Sequence, residues 1–182
     1  MDPAVRNLVR RAQAELPYGT AAFEQLAASR YPAVRRLARA ITGSTDAAET
    51  IAQDSMLRMF HALTGLRDVT TFDAWLRQIV TNTAHSHLAA EQREREKAAR
   101  LRSHLPDEAS TSDDVTGQPE SDAFGALVAG LRLEERTVLA FRLVDDLSFP
   151  EIARILGISA SGAKMRYQRA IERLRIRFRL DR

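Results

Sequence analysis

The stretch LSFPEIARILGISASGAKMRYQRAIERL, Leu147 to Leu174, carries two helix starts, one tight turn and one strongly basic helix. Ser148 is placed to N-cap the first helix, and Glu151 three residues on completes a capping box. Pro150 falls in the first turn, where a missing N–H costs little. Ile152, Ala153, Ile155 and Leu156 give that helix an apolar face. Gly157 supplies the backbone freedom for a turn, Ile158 plugs the corner, and Ser159 caps the second helix. There Ala163, Tyr167, Ala170, Ile171, Leu174 and Phe178 recur near the helical period. The remaining faces hold Lys164, Arg166, Arg169, Arg173, Arg175, Arg177 and Arg179. The pattern is a helix-turn-helix, and a basic amphipathic helix of this kind suits the DNA major groove and its phosphates. The plainer alternative, a helical hairpin with a solvated basic face, leaves the cap, turn and plug residues unexplained.

Charge sharpens this reading. The chain has 182 residues, 45% hydrophobic, with a net charge of only +3. From Ser159 to Arg182, however, eight Lys/Arg face two acids, while Pro106–Asp122 carries six acids and no base. A basic end behind an acidic tether implies a polyanionic partner for the end alone. There are no cysteines, which excludes disulfides, thiolate metal sites and cysteine nucleophiles. MDPAVRNLVRRAQ is an amphipathic helix start and lacks the apolar core of a signal peptide. No apolar run reaches membrane-spanning length, so no membrane insertion and a cytoplasmic location are expected.

Working outward, helices are expected over about Pro3–Glu15, Thr20–Ile41, Thr45–Leu63, and from Phe72 to about Lys97. Tyr31–Pro32 is a possible break in the second. Their inward positions are read as Phe23, Leu26, Ala27, Val34, Leu37, Ala38 and Ile41, then Ile51, Leu57, Met59, Phe60 and Leu63, then Trp75, Leu76, Ile79, Val80 and Leu88. A polar loop, GLRDVTT, spans Gly65–Thr71. Leu101–Ser121, with Pro106, Gly117, Pro119 and its acids, reads as a flexible linker. Helices near Asp122–Leu131 and Glu134–Val144 then lead into the helix-turn-helix. The expected architecture is all-α: two small helical domains over 1–100 and 122–182, joined by an acidic linker over 101–121.

Three runs together carry a family resemblance: RLARAITGSTDAAETIAQDSMLRMF (Arg36–Phe60), FDAWLRQIVTN (Phe72–Asn82) and ERTVLAFRLVDDLSFPEIARILGIS (Glu135–Ser159). In this order and spacing the chain resembles a bacterial RNA polymerase sigma factor of the sigma-70 family, extracytoplasmic-function (ECF) group. The resemblance covers nearly everything but the linker. It implies a sigma-2-like domain that binds core RNA polymerase and melts promoter DNA, and a sigma-4-like domain that grips duplex upstream. The implied partners are the polymerase's largest-subunit clamp and flap and promoter DNA, with no cofactor.

Residue by residue, the resemblance gives minus-thirty-five contacts at Ser161, Lys164, Arg166, Gln168, Arg169 and Arg173. Basic residues among these mostly hold phosphates, which fix register. GAKMR (Gly162–Arg166) departs from the family's common Thr-Val-Lys-Ser-Arg, weakening the helix start and placing Met165 at a groove-facing position. For the minus-ten element it gives Arg67, Asp68, Thr70, Thr71, Arg77 and Asn82, on a loop and helix that hold extruded bases. Thr81 stands where the family usually has a basic residue, and Trp75 reads as core. His85 and His87 lie on different helix faces, so no metal site is expected.

In AAETIAQ (Ala47–Gln53) the family usually has Asp-Ala-Glu-Asp, acids that meet basic residues of the clamp. Here Ala47 and Thr50 replace two of them, leaving polymerase-binding candidates Glu49, Thr50, Gln53 and Asp54. Charge complementarity steers such docking. Phosphorylation of Thr50 by a Ser/Thr kinase would restore the charge, with Ser55 a weaker second candidate. The bland alternative is drift, with Glu49 and Asp54 sufficient. Control by an anti-sigma factor is the other route.

Two non-enzymatic rivals remain at this level: a dimeric helix-turn-helix regulator acting without polymerase, and a sigma mimic that binds an anti-sigma factor. No phosphate loop, metal cluster or nucleophile constellation supports an enzyme.

Overall fold

The protein is described by a computed structural model over residues 2–102 and 123–178. The described residues are all-α. The first helices are α1 (Pro3–Glu15), α2 (Ala21–Thr42), α3 (Thr45–Ala62) and α4 (Phe72–Arg102). After the gap come α5 (Ala123–Ala129), α6 (Leu133–Leu143), α7 (Phe149–Leu156) and α8 (Ala160–Phe178). Most of the expected linker lies outside the described residues.

Local chemistry sets the boundaries. Asp2 accepts from the Ala4 amide at 2.8 Å and starts α1. Ser44 accepts from the Ala47 amide at 3.2 Å and starts α3. Gly43 ends α2 in the left-handed region, φ 76°. α2 runs unbroken through Pro32: the lost N–H removes one bond, while packing against α1, α3 and α4 holds the helix on both sides of it. α4 continues to Arg102, past the expected end near Lys97, because no Gly or Pro interrupts it. Its stem also gains i,i+4 support from Arg95–Glu91 at 2.9 Å and Gln92–Glu96 at 2.8 Å.

α2 is the hub. Leu26, Val34, Leu37 and Ile41 meet Ile51 and Met59 of α3 and Phe72 and Val80 of α4 in one core. That core continues into the second helical set through Val138 and Phe141 of α6, Ile152 and Ile155 of α7, and Ala163 of α8. The two sets therefore pack together, α2 against α5 and α6, and α4 against α7. Polar ties cross the seam. Arg77 Nε donates to Asp145 Oδ2 at 2.6 Å, and His85 Nε2 lies 2.9 Å from Thr137 Oγ1. The Thr137 hydroxyl donates its only proton to the Leu133 carbonyl at 2.8 Å. It must therefore accept from His85, which fixes that tautomer.

The expected core needs one correction. Leu57 is 60% exposed. The buried stripe of α3 runs Ala48, Ile51, Ala52, Ser55, Met59, and Leu57, six residues after Ile51, falls on the opposite side at about 100° per residue.

Candidate nucleic-acid interface

The α7–turn–α8 unit forms from its own sequence. Glu151 accepts from the Ser148 amide at 2.8 Å and from its hydroxyl at 2.6 Å. Those bonds favour the ionised form and hold the Glu151 carboxyl below its usual range. Gly157 turns the chain with φ 65°, and the Ile158 amide bonds back to the Ala153 carbonyl at 3.0 Å. Ser159 Oγ then accepts from the Gly162 amide at 3.0 Å and starts α8. Ala163 and Ala170 are fully buried, and Tyr167 meets Phe149 edge-on at 5.6 Å. That anchoring leaves Ser161, Lys164, Met165, Gln168 and Arg169 exposed, with Arg166 half-buried. Gathered on one rigid helix, four of the six upstream candidates face outward together.

Arg173 is different. Its Nε pairs with Glu135 Oε1 at 3.3 Å, and Glu135, only 4% exposed, also accepts from the Arg132 amide at 3.0 Å. Arg173 thus clamps α8 to the start of α6. Arg132, Arg166 and Arg169 line one cleft with Glu134 and Glu135. Arg132 was not legible as part of this surface, because it sits outside the helix-turn-helix and reaches it only through the α6–α8 packing.

The downstream candidates divide. Asp68 accepts from the Thr70 amide at 2.8 Å and the Thr70 hydroxyl at 2.6 Å, which holds its carboxyl below the usual range. The Thr71 hydroxyl donates to the Asp68 carbonyl at 2.7 Å. These three residues shape a tight 3-10 turn (Val69–Thr71) ahead of α4. Arg67 is exposed just before this turn, and Asn82 is exposed about three turns into α4. Arg77 instead faces the second helical set through Asp145. Thr81 is buried, and among the described residues its hydroxyl has no partner. Trp75 is half-buried against Phe72, ring centroids 6.0 Å apart.

On α3, Glu49 accepts from the Tyr31 hydroxyl and from Gln53 Nε2, and the Tyr31 bond above all keeps its carboxyl below the usual range. Thr50, Gln53 and Asp54 are exposed. The Thr50 hydroxyl donates to the Asp46 carbonyl, at 3.3 Å. Ser55 is corrected: it is fully buried on the core side of α3, so a kinase cannot reach it in this fold. Leu57, expected in the core, shares the outward face, seven residues after Thr50.

Among the described residues no group of His, Asp and Glu could hold a metal ion. No described helix is long and apolar enough to cross a membrane.

These surfaces define a two-region helical protein with a helix-turn-helix at one end. The family model for Sigma-70 region 2 matches residues 26–94, and that for Sigma-70, region 4 matches residues 121–174. The chain belongs to the sigma-70 family, in its extracytoplasmic-function group. The RNA polymerase sigma-E factor of Streptomyces avermitilis is 28% identical over 84% of this chain and 83% of its own. The ECF RNA polymerase sigma factor SigW of Bacillus subtilis is 26% identical, over 80% and 83%. The fold is shared with the sigma factor RpoE from Bartonella quintana, solved in complex with the anti-sigma factor NepR. That likeness has a TM-score of 0.67 at 22% identity and covers 88% of this chain and 98% of that one.

Proposed function

We propose that this ECF sigma factor binds core RNA polymerase through the α3 face and reads a minus-thirty-five element with α8. It then holds the opened minus-ten strand with the loop before α4 and the start of α4. The single observation that supports this most is the α8 row. Ser161, Lys164, Gln168 and Arg169 stand outward on a helix whose opposite side is locked into the core. Phosphates of the groove walls pair with Lys164, Arg166 and Arg169, while Ser161 and Gln168 face base edges. Arg67 and Asn82 take the extruded strand. Asp68, Thr70 and Thr71 serve mainly by shaping the loop, and Arg77 contributes once it leaves Asp145. The reaction is assembly and melting, performed without a cofactor, in the cytoplasm.

Two DNA probes separate the two ends. With holoenzyme, Arg169→Ala weakens duplex upstream DNA and lowers the slope of log affinity against log salt by about one. Arg67→Ala and Asn82→Ala spare that probe and weaken a fork whose minus-ten bases are single-stranded. If all three variants affect both probes alike, this division of labour is wrong.

The exposed Thr50 supports a second element of the reading. Glu49 is tied to Tyr31 and Gln53, while Asp46 and Asp54 are exposed on this face beside Thr50. A phosphate on Thr50, about −1.5 to −2 charges near neutral pH, returns the missing charge at an accessible position. Core polymerase then binds the phosphorylated protein more tightly than unmodified or Thr50→Ala protein. Equal binding of all three removes the switch. An anti-sigma factor is the alternative controller, as the RpoE–NepR complex illustrates for that relative.

A further inference from the structure

Met165 is 49% exposed on α8, and an exposed methionine amid basic side chains calls for an occupant. At about 100° per residue, Met165 stands about 160° around the helix from the buried Ala163, close to the centre of the outward arc. Ser161, one turn before, and Gln168, one turn after, share that centre line. The cations flank it, with Lys164 on one side and Arg169 and the half-buried Arg166 on the other. Gly162 adds no side chain beside it, and an added Cβ there would meet only Ser159 Oγ, at 3.1 Å. Within the described residues α8 packs on α6 and α7, and those contacts use its opposite face.

A helix with cations along both edges and a polar–apolar–polar centre line matches a major groove with phosphate walls and base edges between them. The single apolar feature that DNA offers there is the 5-methyl group of thymine. A flexible, polarizable thioether adapts to such a small apolar target. We propose that Met165 reads a thymine methyl in the upstream promoter element, making this residue a determinant of promoter choice. The inference rests on α8 being the upstream reader.

The test uses the full chain with core polymerase on a promoter it selects, replacing each upstream thymine in turn by uracil, which removes the methyl alone. Wild-type affinity falls about three- to five-fold at one position, the size expected for one lost apolar contact. Met165→Ala binds thymine and uracil equally there, and its helix content and core polymerase affinity match wild type. Uracil tolerated at every position, or an effect that persists in Met165→Ala, overturns the role of Met165 while upstream selection stands. Loss of core polymerase binding in Met165→Ala assigns the side chain to a protein contact and also overturns it. If the holoenzyme shows no upstream sequence preference at all, the reading of α8 fails as well.

Discussion

Arg169 and Arg173 are four residues apart on one helix, yet the structure gives them different work. Arg169 is exposed and Arg173 neutralises Glu135, a carboxylate 4% exposed. Among the described residues, removing Arg173 leaves that carboxylate with the Arg132 amide as its remaining bonded contact. The Arg173 side chain is itself 44% exposed, so solvent screens part of the pair. Arg173→Ala therefore costs about 1–2 kcal/mol in a denaturant titration. Arg169→Ala stays within about 0.5 kcal/mol. Equal costs for the two would mean that the Glu135 pair does not hold α8. Such differences are not legible in the sequence, where both residues are arginines on the basic side of one amphipathic helix. Only the approach of Glu135, from another helix, separates them.

Among the elements, caps and turns were the most legible features. Ser148 with Glu151, Gly157 and Ser159 act where short-range chemistry places them, because each bond spans three or four residues. Faces were less legible. α3 mixes Ala, Ser and Thr into its buried stripe, so counting its large apolar residues put Leu57 inside. A strict period from Ile51 to Ser55 to Met59 would have placed Ser55 inside and Leu57 out. The end of α2 carries a contact that no local pattern announces. Gly43 has φ 76°, and a Cβ there would sit 2.7 Å from Val128 Cγ2 and 3.0 Å from Gly125 Cα. Gly43→Ala thus combines backbone strain with a clash against α5, and it lowers stability by about 1–3 kcal/mol. A cost below about 0.5 kcal/mol would show that α5 does not press on the α2 end in solution.

At the level of the whole molecule, the two helical sets share a core and are tied by pairs far apart in sequence. Arg77 and Asp145 are 68 residues apart, and His85 and Thr137 are 52 apart. Separations of that size explain why the seam could not be read from the sequence, which gave the two sets but not their packing. Under the proposed function, Arg77 leaves Asp145 before its guanidinium serves DNA. The seam also titrates. Burial disfavours the charged imidazole and lowers the His85 pKa from its ordinary 6.5, with Glu134 opposing. A depressed folded pKa contributes stability above the unfolded value, and that contribution fades as pH falls below about 6.5. The stability advantage of wild type over His85→Gln is therefore larger at about pH 7.5 than at about pH 5.5. A gap independent of pH would place His85 outside the seam.

Under the proposed function, one chain supplies both halves of promoter selection to a polymerase it does not itself contain. Mapping transcript 5′ ends made by core polymerase, with and without the purified protein, tests this directly. Genomic fragments serve as template, and the protein is used both unmodified and kinase-treated. Discrete new start sites preceded by a common bipartite motif are the expected result, and they are lost in Lys164→Ala/Arg169→Ala protein. Start sites unchanged by the protein in either modification state would contradict it.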